Sequence, residues 1–359
     1  MHQILNRLVA IPRLYLLLIL LAPWSCVWAH GGEPGAGHLW THWPITADVT
    51  VMSLLALVIY GTGAWRRRHR TPATKGWRHA AFVVGLAAIF IALQSPVDPI
   101  AERAFWMHQV QHLLLRMLGP FLIMLSAPQT IMTAGLPETI RRGILVPLVG
   151  NRWVRGFFGF FAHPVIATGL FIFTLVFWQV PGYHNLALRN EPLHYLMHIS
   201  MLWSGLFFWW RVLDFRPRPL AAPFAARFLM LWIALAANIA LGAYLFFKHQ
   251  VLYRAYDDVG RLWDLGALAD ERAGALIIWL PGSMMTVIGI LVVLGLWLRH
   301  ERLTARRNTA SPDPDRLMLQ TSQNSTVQAD RNRGIALSLA AFVLLIVVIL
   351  ITLGLLIRP

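Results

Sequence analysis

Apolar runs about as long as a lipid bilayer is thick recur along this chain, and they constrain its fold more than any other feature. A transmembrane helix needs about 20 mainly apolar residues, and lipid admits only helices and closed barrels. Eight segments fit a helical span: 49–64, 78–94, 106–126, 157–180, 193–212, 224–247, 275–298 and 335–357. The sequence therefore predicts an all-α, polytopic transmembrane helical bundle with seven core spans and an additional C-terminal span.

Composition excludes two classes of protein. Only 13% of the residues are charged, against about 25% in soluble globular domains, so the chain is not a water-soluble enzyme. The formal net charge of +15 is typical of nucleic-acid binders, but the basic residues lie between the apolar runs rather than along one face. We therefore expect a lipid bilayer around this chain and no nucleic acid.

The two ends of the chain differ from the core. Residues 1–29 combine a basic start, a short apolar stretch and a small final residue, which is typical of a secretory signal peptide or of an uncleaved signal anchor. A His-containing outer segment at 30–47 leads into the seven-helix membrane domain at 48–298. A polar cytoplasmic linker at 299–334 then precedes the additional transmembrane helix at 335–357.

Loop charge predicts the orientation of the bundle. With residue 30 outside, the cytoplasmic loops hold most of the arginines and the outer loops hold most of the acidic residues. These cytoplasmic loops are 65–77, 127–156, 211–223 and 299–333. The distribution agrees with the positive-inside rule. Most of the histidines then fall at the outer ends of the spans.

Two histidine pairs with the same spacing are the strongest sign of chemistry. His108 and His112 lie near the outer end of the third span, and His194 and His198 lie near the outer end of the fifth. Residues four apart share a helix face, so each pair aims two imidazoles the same way. Ionisable groups within spans are rare and are functional by default. The pattern predicts one four-imidazole metal or haem site, with hydrogen-bonded packing histidines as the plain alternative.

Further residues are candidate contributors to this site. Arg116 lies one turn beyond the first pair, roughly 15 Å below the outer boundary, where a charge is expected to face the bundle interior. The possible accessory metal ligands are Met107, Met197, His30, His38, His42 and His184. The acidic residues that would orient imidazoles or cap a helix are Asp98, Glu102 and Asp270.

The available ligand types narrow the choice of metal. The one cysteine, Cys26, falls in the signal-like segment, so a mature chain would have no thiol. Imidazole binds copper, zinc, iron and nickel, and thioether sulfur favours Cu(I), so a thiol-free site fits copper better than zinc. A zincin needs a glutamate beside the first histidine, and Gln109 and Tyr195 stand there instead. Catalytic motifs are missing, so we expect no enzyme.

Several motifs resemble those of one known family. They are SPVD at 95–98, MHQVQHLLL at 107–115, AHP at 162–164, FWW at 208–210, and Asp270, Gly274, Trp279 and Pro281. Over about residues 40–300 the chain resembles the seven-helix cytochrome c oxidase assembly factors called CtaG. The resemblance implies a bacterial plasma membrane factor that helps to mature a haem-copper terminal oxidase. Gln179 and Met197 depart from the family pattern, in which a histidine and an acid are expected.

These observations predict an assembly factor that handles or delivers copper at the outer face through the two histidine pairs. The expected partners are terminal oxidase subunits and periplasmic copper chaperones. One alternative is a membrane protein that binds b-type haem for electron transfer or haem handling, with Arg116 near a propionate. Another is a copper or cation transporter, which the mainly apolar third span below Met117 disfavours.

Overall fold

The computed structural model describes residues 43–68, 76–216, 221–263 and 265–309. Every regular element in these ranges is helical and none is a strand, so the predicted all-α class is confirmed for them. Several predictions fall outside the described residues: the signal-like segment, His30, His38, His42, the linker beyond residue 309 and the C-terminal span.

Fifteen α-helices, numbered in chain order, make up the described part of the chain. They are Ala47–Arg67 (α1), Gly76–Gln94 (α2), Val97–Ala101 (α3), Phe105–Leu113 (α4), Gly119–Leu125 (α5), Gln129–Gly135 (α6), Glu138–Ile140 (α7), Val146–Gly150 (α8), Arg152–Phe161 (α9), Pro164–Phe177 (α10), Pro181–Arg189 (α11), Glu191–Val212 (α12), Phe224–Phe247 (α13), Ala255–Val259 (α14) and Ala267–Thr309 (α15). Two π-helical turns, Leu114–Leu118 and Arg141–Leu145, join α4 to α5 and α7 to α8.

Four of these helices have the length and apolar composition of a membrane span: α1, α2, α13 and most of α15. Two bent pairs reach that length and composition only together. They are α4 through α5 with α6, bent by 76°, and α9 with α10, bent by 62°. The described residues thus hold four to six candidate spans, which makes this a multi-pass membrane protein. Helix α12 lies at the position of the fifth predicted span, but it is not one of these six candidate spans. The predicted number of seven core spans therefore stays a prediction.

Some predicted boundaries differ from the structure. The fourth predicted span, 157–180, is bent by 62° just before Pro164, and α10 ends at Phe177. Proline lacks an N–H and disfavours helical geometry in the preceding residue, and His163 is accordingly extended, with ψ of 134°. The expected loop at 127–156 contains α6, α7 and α8. Apolar runs do not reveal such short helices.

Glycine brings α12 against the π-helical turn Leu114–Leu118. A Cβ at Gly205 would lie 2.4 Å from the carbonyl oxygen of Arg116, far inside contact distance. Because lipid provides no hydrophobic force between helices, packing depends on small residues that let two backbones approach. Helix α12 carries His194 and His198, and the turn continues from α4, which carries His108 and His112, so Gly205 permits the two pairs to lie close together.

Candidate metal centre

Three imidazoles meet inside the bundle. One ring nitrogen from each of His108, His112 and His198 lies within 4.8 Å of those of the other two, and all three side chains are buried. We call these residues the histidine cluster. Nitrogens bound to one ion at about 2 Å lie roughly 3.5 to 4 Å apart. Small side-chain rotations would therefore bring all three nitrogens to one ion.

The fourth predicted ligand, His194, lies at the edge of the cluster. Its ring centroid is 4.4 Å from that of His198 and 5.2 Å from that of His108, but its nitrogens do not belong to the close group. Its Nδ1 is 3.9 Å from Oε1 of Glu102, whose side chain is 34% exposed. The structure therefore brings the two predicted pairs together, with His194 and Glu102 on the more accessible side.

Buried nitrogens of the cluster lack hydrogen bonds. Nε2 of His108, Nε2 of His198 and both ring nitrogens of His112 have no hydrogen-bond partner among the described residues. Buried polar groups are nearly always paired, and leaving one unpaired costs about 1–3 kcal/mol. Each of the three rings thus has at least one unpartnered nitrogen, and one nitrogen from each ring lies in the close group, a donor set that fits a cation.

A hydrogen-bonded chain begins at His184, on α11. Its Nδ1 is 2.9 Å from the carbonyl oxygen of Trp178, which can only accept, so this nitrogen donates. Burial lowers the pKa of His184 to about 4, so the ring is neutral at pH 7. Its Nε2 must then accept a hydrogen bond, and the hydroxyl of Tyr256 lies 2.9 Å away. His184, an expected accessory ligand, thus uses both nitrogens to hold Tyr256.

Tyr256 links the hydrogen bonds of His184 to the histidine cluster. Burial, and after it the charge of Asp270, raise the pKa of Tyr256 well above its ordinary value, so the hydroxyl keeps its proton and donates it to His184. The same oxygen therefore accepts from Nδ1 of His108, 2.8 Å away. His108 consequently presents Nε2 with a lone pair, the state in which imidazole binds a metal.

Asp270 fixes the start of α4, the helix that carries His108 and His112. Its carboxylate accepts hydrogen bonds from the backbone N–H groups of Phe105 at 2.9 Å and Trp106 at 3.0 Å. An acidic side chain at a helix N-terminus satisfies unpaired donors and complements the helix dipole. Of the two roles expected for Asp270, the structure shows the helix cap.

The other expected contributors lie around the cluster. Asp98 accepts a 2.6 Å hydrogen bond from Nε2 of Gln111. The two methionines belong to apolar clusters of buried residues, Met107 to one that includes Leu262 and Met197 to one that includes Trp178. Methionine commonly fills such gaps in a core. Their positions therefore favour a packing role, and the imidazoles are the candidate metal ligands.

Tyr256 was not predicted from the sequence. It lies on the short α14, in a stretch that connects two apolar runs and shows no periodicity of its own. It reaches His108 across 148 positions of sequence. A tyrosine beside charged residues is the one indication of a functional role in this segment, and many surface loops have the same composition.

A cavity adjoins the cluster at His112 and continues inward. Its walls include Gln109 and Arg116 from the third predicted span and Asn238 and Gly282 from α13 and α15. It has room for about one or two water-sized molecules. The sequence placed Arg116 in the bundle interior below the histidines, and its side chain is there, 4% exposed.

Arg116 is held by backbone and ring contacts. Its Nε and Nη2 donate to the carbonyl oxygen of Phe171 at 3.3 and 3.2 Å, and its guanidinium carbon lies 3.7 Å from the centroid of the Phe171 ring. It belongs to the π-helical turn, a feature that often marks functional sites.

Comparison with known proteins adds an independent observation. The family model described as cytochrome c oxidase caa3 assembly factor (Caa3_CtaG) matches residues 58–300. Uncharacterised proteins of Mycobacterium bovis and Mycobacterium tuberculosis are each 24% identical over 288 residues, which cover 79% of this chain and 43% of theirs. A protein of Mycobacterium leprae is 23% identical over 284 residues. The chain thus spans less than half the length of these curated relatives. No solved structure matches it.

Proposed function

Since the chain belongs to the cytochrome c oxidase caa3 assembly factor family, we propose that it holds Cu(I) at the histidine cluster and delivers it to a haem-copper terminal oxidase. Assembly factors of this kind are typically not enzymes, and copper is here a cargo. The proposed partners are subunits of the oxidase and periplasmic copper chaperones, which would meet the chain at the extracytoplasmic face of the plasma membrane.

One observation carries this proposal: three buried imidazoles offer unpartnered nitrogens within 4.8 Å of one another. Imidazole is a common ligand of copper, zinc, iron and nickel. The hydrogen bonds from Trp178 through His184 and Tyr256 hold His108 in the tautomer that ligation needs. Such outer hydrogen bonds orient metal-bound histidines and raise their basicity.

Charge favours a monovalent ion. All three ligands of the cluster are neutral when they bind a metal, and the close group contains no carboxylate among the described residues. Desolvating an ion becomes far more expensive as its charge increases. Cu(I) suits this environment better than Zn²⁺ or Cu(II).

The spacing also favours an ion over haem. Ring centroids of the cluster are 4.3 Å apart for His108 and His112, and 5.7 Å apart for His112 and His198. Rings in mutual contact leave no space for a porphyrin between them, and the adjoining cavity is of water size. The described helices would have to separate substantially to admit the macrocycle.

Delivery would proceed by ligand exchange at the more accessible edge. His194 lies there, with its ring beside His198 and Glu102 nearby. An incoming donor could bind the ion from that side while the cluster releases it. We include His30, His38 and His42 in the proposal as residues that collect the ion before it enters.

The test is a Cu(I) titration of the detergent-purified full-length protein against a chromophoric competitor, with metal and haem analysis. We expect one Cu(I) per chain and no Soret band. His198→Ala should lower the affinity at least tenfold, because one of three ligands is lost. The matched control His249→Ala, an exposed position, should bind as the wild type does. A haem spectrum, or equal affinity in both variants, would overturn the proposal.

Tyr256→Phe tests the hydrogen-bonded chain. It keeps the ring but removes the hydroxyl that fixes His108, and loss of such a partner typically weakens metal binding by about 10–100-fold. Tyr253→Phe is the control, because its hydroxyl donates to the carbonyl oxygen of Gln179 at 2.7 Å. The ¹⁵N shifts of His108 should show Nδ1 protonation in the wild type and a tautomer mixture in Tyr256→Phe. An unchanged affinity and unchanged shifts would contradict this role.

A further inference from the structure

The cavity below the histidine cluster presents hydrogen-bond donors that have no acceptor. Gln109 is 2% exposed, lines the cavity, and its Nε2 has no hydrogen-bond partner among the described residues. An amide nitrogen carries two donors, and a buried unsatisfied donor is costly. A group that accepts hydrogen bonds is therefore expected to occupy this space.

Hydrogen bonds on the far side orient the Gln109 amide. Its Oε1 accepts from Nε2 of Gln179 at 2.6 Å. The hydroxyl of Tyr253 donates to the backbone carbonyl oxygen of Gln179 at 2.7 Å and lies 3.2 Å from its Oε1. The Oε1 of Gln109 is therefore in use, and the NH₂ group of Gln109 is the end that remains for the cavity.

Arg116 supplies a positive charge on the same wall. Arginine stays protonated in proteins, and within the described ranges no carboxylate pairs with this guanidinium within 4.0 Å. A buried charge without a counter-charge is strongly unfavourable. The ring of Phe171 and one backbone carbonyl offset the cost of burying this charge only in part. Two of the five N–H groups are used by that carbonyl, which leaves three.

We propose that this cavity binds a small monovalent anion of about the size of chloride. The remaining N–H groups of Arg116 and the amide of Gln109 would hold it. The narrow cavity favours a small anion over sulfate, phosphate and organic acids, and the other walls include apolar side chains such as Ile277 and Ile278. The anion would offset the charge of Arg116 whether or not the cluster holds a cation.

The experiment uses copper-free, full-length protein in detergent, so its outcome does not depend on the proposed copper function. Binding of chloride is measured by ³⁵Cl line broadening, with gluconate as the replacing anion. We expect saturable broadening that bromide competes away and sulfate does not. Arg116→Met should weaken chloride binding at least tenfold.

Arg227→Met is the matched control. Arg227 is also buried, donates from Nε to the carbonyl oxygen of Ala222 and stands over the ring of Phe224, but it does not line the cavity. It should leave chloride binding unchanged. Equal chloride binding by Arg116→Met and the wild type would overturn the proposal, as would unsaturable broadening in the wild type, which would mean that water fills the cavity.

Gln109→Glu keeps the test decisive if Arg116→Met does not fold. It retains the side-chain size and places a carboxylate in the cavity that Arg116 also lines, as a built-in counter-charge. We expect this variant to fold and to lose chloride binding at least tenfold. Chloride binding at wild-type strength in a folded Gln109→Glu protein would overturn the proposal.

Discussion

Replacing His108 and His112 together with alanine is expected to abolish Cu(I) retention and to lower terminal oxidase activity while membrane insertion stays intact. The double variant removes two of the three close ligands and leaves the remaining imidazole unable to hold an ion alone. Both positions are buried, and three of their four ring nitrogens have no hydrogen-bond partner among the described residues, which is itself unfavourable, so replacing the two rings with apolar side chains should not unfold the bundle.

Oxidase activity should be measured in cells that produce the variant at limiting copper, with the amount of membrane-inserted protein determined in parallel. His249→Ala provides the control for a histidine change outside the cluster. Normal oxidase maturation at limiting copper in the double variant would end the copper proposal. Loss of insertion would be visible in the parallel measurement and would direct the test to single variants.

Gly205→Ala is expected to lower both stability and Cu(I) occupancy. The new Cβ would lie 2.4 Å from the carbonyl oxygen of Arg116, and a backbone atom cannot rotate away as a side chain can. Overpacking of this kind costs about 1–3 kcal/mol. Because α12 would shift relative to the π-helical turn, His198 should also move away from His108 and His112.

The control for this variant, Gly169→Ala, is expected to raise stability rather than lower it. Gly169 lies on α10 with nothing within 4 Å of an added Cβ and is exposed, so Gly169→Ala should stabilise the helix by up to about 1 kcal/mol. Thermal unfolding in detergent and Cu(I) per chain are the two measurements. If Gly205→Ala matches the wild type in both, α12 does not depend on this close approach.

The sequence predicted helices best where apolar runs end abruptly. The sixth span was predicted at 224–247 and α13 has the same bounds, because Pro223 and Lys248 terminate the run. The seventh was predicted at 275–298, whereas α15 runs from Ala267 to Thr309. Hydropathy measures the part of a helix that suits lipid, and backbone hydrogen bonding continues through polar residues beyond it.

The site residues that the sequence predicted follow a local pattern, and those that it did not predict depend on contacts between distant segments. Spacing of four residues placed each histidine pair on one helix face, and the structure brings the pairs together. Four residues rotate by about 400°, an offset of about 40° from one full turn, and spacing does not specify which ring of a pair lies deeper. The edge position of His194 therefore depends on how α12 packs. Tyr256 and the Gln109–Gln179 contact join distant segments and leave no local pattern.

Burial of the histidine cluster separates how tightly the protein would hold an ion from how fast it would exchange one. His108 is fully buried, and His112 and His198 are 5% and 6% exposed, so no donor or acceptor protein reaches their nitrogens without a local opening. The residence time of a bound ion would then follow the frequency of that opening. A carrier built this way can release its ion slowly into solution even where its equilibrium affinity is modest, and a partner that docks beside Glu102 could accelerate the release by promoting the opening.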